Sequence, residues 1–184
     1  MNSEVISSRY AKALLAYAAE SGSANIVYSQ AQVVVHMMEQ LPDLKELVVK
    51  CDELPLDKKI ELLSIAIGET LADQMVRFIE LVHSHHRMDM FLFMMVSYIS
   101  RYRQANNIKV GTLLTAVPDE NLKKRLETMF SERTDSQVHL KAGVDPQLLG
   151  GFVFELDGCR LDASVRTRLE KIRQCLVDDN SRIV

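Results

Sequence analysis

The feature that most constrains this chain is a change of period. For about the first hundred residues the apolar side chains recur at helical spacing. From Ile108 onward they alternate as in strands, and only two helical stretches remain. The switch falls at Asn106-Asn107, so two domains are expected, 1–106 and 107–184. The fold class is mainly α with a small α/β part.

In the first part Asn2 or Ser3 can cap a helix over about residues 4–20, which Ser21-Gly22-Ser23 closes. A second helix, about 24–40, stops at Leu41-Pro42. A short one covers about 44–50, and Pro55-Leu56-Asp57 opens a fourth that Gly68 ends. A fifth spans about 70–84 and a sixth about 88–105. Six helices with short connections make an antiparallel bundle the natural solution.

The second part reads β-α-β-β-α. Ile108 to Ala116 is β-rich, and Pro118-Asp119 starts a helix with Leu122, Leu126, Met129 and Phe130 on one face. Residues 137–142 alternate, as do Phe152, Phe154 and Leu156. Asp157-Gly158 signals a two-residue hairpin, because both positions tolerate positive φ, and Cys159-Arg160-Leu161 returns. The last helix sets Val165, Leu169, Ile172 and Leu176 on one stripe, which is expected to pack on its own sheet.

Charge narrows the function classes. Residues 1–106 carry 10 Lys and Arg against 13 Asp and Glu, which accounts for the whole net charge of −3. The second part is neutral although its last helix carries Arg166, Arg168, Lys171 and Arg173. A nucleic-acid binder would bring a net basic domain with exposed aromatics, and a membrane foot a net positive surface. Neither partner is expected. No apolar run approaches the roughly 20 residues that span a bilayer, so no membrane insertion is expected. Cys51, Cys159 and Cys175 form no metal or redox spacing, which suits a reducing compartment. With Glu4 early and no apolar stretch beside it, no leader peptide is expected.

The candidates for chemistry have plainer explanations. His83, His85 and His86 crowd together, but His85 and His86 diverge by about 100° on a helix and no carboxylate follows at metalloprotease spacing. They suit an exposed helix end, where imidazolium meets the negative end of the dipole. Gly150-Gly151 precedes a strand and not a helix, so it is no phosphate loop. Asp162 and Ser164 fit helix capping. No catalytic residue, cofactor or metal is expected, which favours an interaction protein.

The first helix exceeds what a core needs. Ile6, Tyr10, Ala11, Ala13, Leu14, Leu15, Tyr17 and Ala18 fill an arc of roughly 200°, against somewhat over about 100° for a helix that only seals a core. Either it is sandwiched between two helices of the bundle, or it leaves a groove for a partner's amphipathic helix. On the fifth helix Leu71, Met75, Phe78 and Val82 make the core stripe. Leu81 falls outside it, between Gln74 and Arg77, as a candidate wall of the same groove.

Two stretches resemble a known family. Arg9-Tyr10-Ala11-Lys12-Ala13-Leu14, then Tyr17-Ala18, is similar to the opening of the delta subunits of F-type ATP synthases, whose mitochondrial relative is the oligomycin-sensitivity-conferring protein. Gly150-Gly151, an apolar strand, a turn, and then Leu161, Asp162, Ser164, Val165, Arg168 and Leu169 resemble that family's C-terminal signature. Where the family often has Asn-Gly-Arg between the fifth and sixth helices, this chain has His85-His86-Arg87.

The resemblance implies a non-catalytic stator subunit, tying the catalytic head to the peripheral stalk so that torque from the central shaft does chemistry. It implies that the helical domain receives the N-terminal helix of an alpha subunit between its first and fifth helices. Tyr10, Ala13, Leu14 and Tyr17 would lie on one side, with Arg77, Phe78 and Leu81 on the other. The C-terminal domain would meet the b subunits of the stalk, with Arg166, Arg168 and Arg173 as contacts if the stalk ends are acidic. It further implies one copy per complex, a monomer when isolated, on the cytoplasmic face of a bacterial inner membrane. The alternative is a stand-alone helical adaptor that binds a peptide.

Overall fold

The computed structural model describes residues 2–49 and 54–181. The chain divides into two compact units, Met1–Ala105 and Asn106–Val184.

The first unit is all helix: α1 (Asn2–Glu20), α2 (Ala24–Gln40), α3 (Pro42–Val49), α4 (Leu56–Ile67), α5 (Asp73–Ser84) and α6 (Phe91–Ala105), the last entered through a 3-10 turn at Met88–Met90. The helix α6 is the hub, packing along both α1 and α2. It buries Phe91, Met94, Met95 and Tyr98 against Leu14 and Ala18 of α1, Val34 of α2 and Ile79 of α5. The unbranched methionines fill the irregular gaps where helices meet at different angles.

Of the helix starts that differ from the sequence expectation, those of α3 and α5 have a local reason. The third helix begins at Pro42 and not near Leu44, since proline lacks only an N–H that the first turn leaves free anyway. Its expected last residue, Lys50, lies outside the described residues. The fifth begins at Asp73 and not near Thr70. The buried Gln30 takes that stretch for itself: its amide donates to the Thr70 carbonyl at 2.9 Å and its oxygen accepts from the Ala72 N–H at 2.9 Å. One side chain thus satisfies two backbone groups and pins α2 to the loop before α5.

The second unit comprises β1 (Ile108–Thr115), α7 (Glu120–Thr134), β2 (Gln137–Val144), β3 (Phe152–Leu156), β4 (Cys159–Asp162) and α8 (Val165–Ser181). The sheet order is β2-β1-β3-β4. β1 and β2 run parallel across the α7 crossover, and the other neighbours are antiparallel. The return strand β4 pairs residue for residue with β3, so there is one strand more than the β-α-β-β-α reading counted. Asp157 and Gly158 both take positive φ, 50° and 78°, as the two-residue hairpin requires.

The helix α7 covers one sheet face. Leu126 is buried there, Leu122 and Phe130 lean on the sheet, and the Phe130 ring stacks on Phe154 at 4.4 Å. The last helix does not do the same, and this corrects the sequence reading. None of its described side chains belongs to the core of the sheet. Val165, Leu169 and Ile172 are 38%, 52% and 57% exposed. Its start is tied down, with the Val165 N–H donating to the Gly150 carbonyl at 3.0 Å, and it touches the 3-10 turn at Pro146–Leu148. Leu176, the fourth residue of the stripe, lies beyond the described side chains.

The glycine pair before β3 has a steric task. Gly151 takes φ 71°, and a Cβ there would meet the Ala163 carbonyl oxygen at 2.3 Å. That approach lets the Ala163 N–H donate to the Phe152 carbonyl at 2.9 Å, closing the link between β4 and α8 onto the start of β3. Gly151→Ala is therefore expected to destabilise the second unit by more than about 1 kcal/mol, measured by denaturant unfolding of the full chain with probes in β3. An unchanged midpoint would contradict the close approach.

Candidate functional site

The α1 and α5 helices meet through Tyr10 and Tyr17 of α1, and the surface between them is the candidate trough. Tyr10 sits at one end with its ring edge-on to Phe78, centroids 6.3 Å apart, and edge-on to His85 at 6.4 Å. Tyr17, two turns further along α1, meets Arg77, whose guanidinium donates to its hydroxyl at 2.9 Å. At the other end Arg87 donates to the Tyr10 hydroxyl, also at 2.9 Å, with its guanidinium 5.6 Å from the ring centroid. Each tyrosine is thus held upright by an arginine, and Ala13 lies between them on α1, exposed. A methyl group between two phenol rings leaves a notch.

The seven candidate groove residues separate by burial. Leu14 and Phe78 are core, 2% and 5% exposed, so they support the trough from beneath and offer no surface; their place as open groove residues is corrected. Leu81 and Tyr17 are 45% and 36% exposed, and Arg77 is exposed as well. Tyr10 is half-buried. The wide apolar arc of α1 therefore has two fates. Leu14, Ala11 and Ala18 close the bundle, while Ala13 and Tyr17 remain open to solvent.

The sequence reading missed His85 and Arg87 as parts of this trough. It placed the histidines at an exposed helix end, which holds for His85 and His86, and His85 adds a ring contact with Tyr10. The signal was available, since Tyr10 and the end of α5 carry matching aromatic and cationic groups. His86 takes φ 52° with its N–H bonded to the His83 carbonyl at 2.9 Å, and the Arg87 N–H reaches the Val82 carbonyl at 3.1 Å. This is a left-handed helix stop of the kind glycine favours. It aims Arg87 back at Tyr10.

Among the described residues no cluster of three or more His, Cys, Asp or Glu is placed to hold a metal ion. No described helix is long and apolar enough to cross a membrane. Among the described residues Lys109 pairs with Asp157 at 2.8 Å and Lys123 with Glu120 at 3.8 Å. The arginines of the trough have tyrosine partners and no carboxylate.

The C-terminal signature residues are brought together around the start of α8. Ser164 is fully buried. Its Oγ accepts from the Thr167 N–H at 3.2 Å, which is the bond of a helix cap. The Asp162 carboxylate accepts from the Ser164 N–H at 2.9 Å and from the Thr167 hydroxyl at 3.0 Å. Those bonds, the Ser164 amide first, hold the Asp162 carboxyl below its ordinary value. Gly150 and Gly151 face this turn. Val165, Arg168 and Leu169 stand on the exposed part of α8.

A helical bundle is joined in sequence to a small unit built on a mixed four-stranded sheet. The family described as the ATP synthase delta (OSCP) subunit matches residues 6–176. An ATP synthase subunit delta from Phocaeicola vulgatus is 38% identical over 182 residues, covering 98% of both chains. One with the same description from Bacteroides thetaiotaomicron is 35% identical over 184 residues, again 98% of both. One from Enterococcus hirae is 34% identical over 172 residues, 91% of this chain and 93% of that one. A chain in the cryo-EM structure of the Toxoplasma gondii mitochondrial ATP synthase hexamer shares the fold, with a TM-score of 0.63 over 93% of this chain and 97% of that one, at 18% identity. The chain belongs to the ATP synthase delta (OSCP) family. It is a stator subunit of the peripheral stalk of an F-type ATP synthase.

The capping network sets a pH dependence. Because the folded Asp162 titrates below its unfolded value, its contribution is complete above the unfolded value and is lost as pH falls through the lowered folded one. Amide shifts of Ser164 and Thr167 followed by NMR are expected to titrate together, with a midpoint below the ordinary aspartate value of about 3.9. A midpoint at or above that value would remove the capping account.

Proposed function

We propose that the trough between α1 and α5 receives the N-terminal helix of an alpha subunit, and that the second unit meets the b subunits of the stalk. The chain would then tie the catalytic head to the stalk on the cytoplasmic face of a bacterial inner membrane, one copy per complex. The observation that carries the first half is the exposed Ala13 between two arginine-braced tyrosines, with the exposed Leu81 on the facing helix. A small side chain at the floor lets a second helix come close, and the tyrosines flank it with apolar ring area. Such burial contributes roughly 25 cal/mol per Å² before ordering costs are subtracted. The braces lower those costs, because Tyr10 and Tyr17 are already held in place.

The charge around the trough supports a particular kind of helix. Arg77 and Arg87 stand at its rims on tyrosine partners, and the exposed Arg9 adjoins Tyr10 in sequence. A partner helix with acidic residues beside its apolar face would complement them.

The test is calorimetric titration of the full chain with a synthetic peptide of the alpha-subunit N-terminus from the same organism. Ala13→Trp fills the notch and is expected to abolish binding, and Leu81→Asp to weaken it at least about tenfold, which is about 1.4 kcal/mol. Both sites are exposed, so thermal melts should match the parent. Undiminished affinity in both variants would refute the trough, and no binding by the parent would favour an adaptor for some other peptide.

A further inference from the structure

The sheet of the second unit has two unequal edges. The order β2-β1-β3-β4 puts β2 on one side and β4 on the other. β4 runs for 4 residues and β2 for 8. A long free edge presents a row of backbone N–H and C=O groups that another strand can pair with, whereas a short one offers little. β2 is therefore the side that needs cover.

The backbone bonds fix which groups of β2 point outward. At the start of the strand the Gln137 N–H donates to the Asn107 carbonyl at 3.0 Å. One residue past its end the Asp145 N–H donates to the Thr115 carbonyl at 2.9 Å. Both bonds run toward the β1 side. With a period of two, the N–H groups of the odd-numbered residues face β1, and those of Val138, Leu140, Ala142 and Val144 face away. Two of these outward groups are engaged. The Val138 N–H donates to Ser131 Oγ at 3.2 Å, and the Leu140 N–H to Glu127 Oε1 at 2.8 Å. Both acceptors are side chains of α7.

The match is one of spacing. Side chains four apart on a helix share a face and stand about 6 Å apart along its axis. Residues two apart on a strand are about 6.7 Å apart. Glu127 and Ser131 are such a helical pair, and Val138 and Leu140 such a strand pair. The later helix residue meets the earlier strand residue, as an α7 running back along β2 requires. One turn earlier the same face carries Lys123, whose ammonium can only donate and which lies 3.8 Å from Glu120. The pattern of acceptors ends there. Leu126 and the Phe130–Phe154 stack already seat the helix on the sheet, so packing does not call for these two bonds.

We infer that α7 stands in for an extra strand: Glu127 and Ser131 occupy outward N–H groups of β2 and so block a second copy of this chain from adding its own β2 edge there. A second copy is the partner to exclude, because it offers a strand already extended and pays no cost of ordering a flexible peptide. Antiparallel pairing about a twofold axis is the form that addition takes, since one edge then serves both copies.

The test uses the full chain. Sedimentation velocity over a range of concentrations is expected to show E127A/S131A self-associating at least about tenfold more tightly than the parent. Glu127→Gln keeps a carbonyl that can accept the Leu140 N–H and should stay close to the parent. Adding Ala142→Pro to the double variant removes an outward donor without breaking a bond to β1, and sheet edges tolerate proline. Self-association should then fall back toward the parent, a rescue that a merely unstable protein would not show. Amide hydrogen exchange reads the block directly. At concentrations where the double variant is monomeric, Val138 and Leu140 should lose protection while His139 and Lys141 keep theirs. No gain in association by the double variant, association that Ala142→Pro leaves in place, or unchanged exchange at Val138 and Leu140 would each overturn the inference.

Discussion

The first unit depends on α1 carrying a wider apolar arc than the bundle uses. A helix inside a bundle spends its apolar stripe on closing the core, and what remains is polar. Here the stripe is doubled. Leu14, Ala11 and Ala18 are lost to solvent within the bundle, while Ala13 and Tyr17 stay open on the adjacent arc. Alanine makes this possible. It is the best helix former, so a run rich in it holds its helix without help from either side. It is also small enough to sit at an interface or in water at little cost. A leucine in place of Ala13 would make the exposed arc a liability for self-association and fill the notch that a second helix needs.

The braces solve the remaining problem, which is what an open apolar trough does while empty. Tyr10 and Tyr17 could fold over the notch and bury their rings against it. The bonds from Arg87 and Arg77 to their hydroxyls work against that collapse, and the edge contacts of Tyr10 with Phe78 and His85 fix its ring plane. A trough kept open in this way loses little entropy on binding. The second unit meets the same demand differently. It leaves Val165, Leu169 and Ile172 of α8 exposed, with Arg166, Arg168 and Arg173 beside them in sequence.

The legible part of the molecule was the part that follows from local pattern. The helical bundle, the α7 face and the Asp157-Gly158 hairpin each come from a period or a dipeptide that reports its own geometry. What failed was whatever depended on a distant partner. Nothing near Thr70 in sequence says that Gln30 will claim its backbone groups and delay α5 to Asp73. The helical stripe on α8 was read correctly as a stripe and wrongly as a core face, because amphipathicity gives a direction but not the identity of what lies in it. The same ambiguity explains the trough. Projection alone could not separate Leu14 and Phe78, which are buried, from Ala13 and Leu81, which are open. His85 was missed because a histidine at a helix end is usually solvated, and its contact with Tyr10 is tertiary.

A stator subunit must also hold under sideways load, and this bears on why polar groups rim both apolar surfaces. Apolar burial is non-directional, so two greasy helices lose little when one slides or rolls along the other by a fraction of a turn. Charged and hydrogen-bonding groups at the edges lose much more, since such contacts weaken steeply with distance and angle. On the proposed function, Arg77 and Arg87 at the trough and Arg166, Arg168 and Arg173 on α8 would supply register, and the apolar floors the affinity. Register matters most where contacts act in series, because slip at one contact cancels rigidity at the next. The physical division of labour is then the same in both units, reached with two unrelated folds: small or aliphatic residues where helices touch, and arginines where they would otherwise slide.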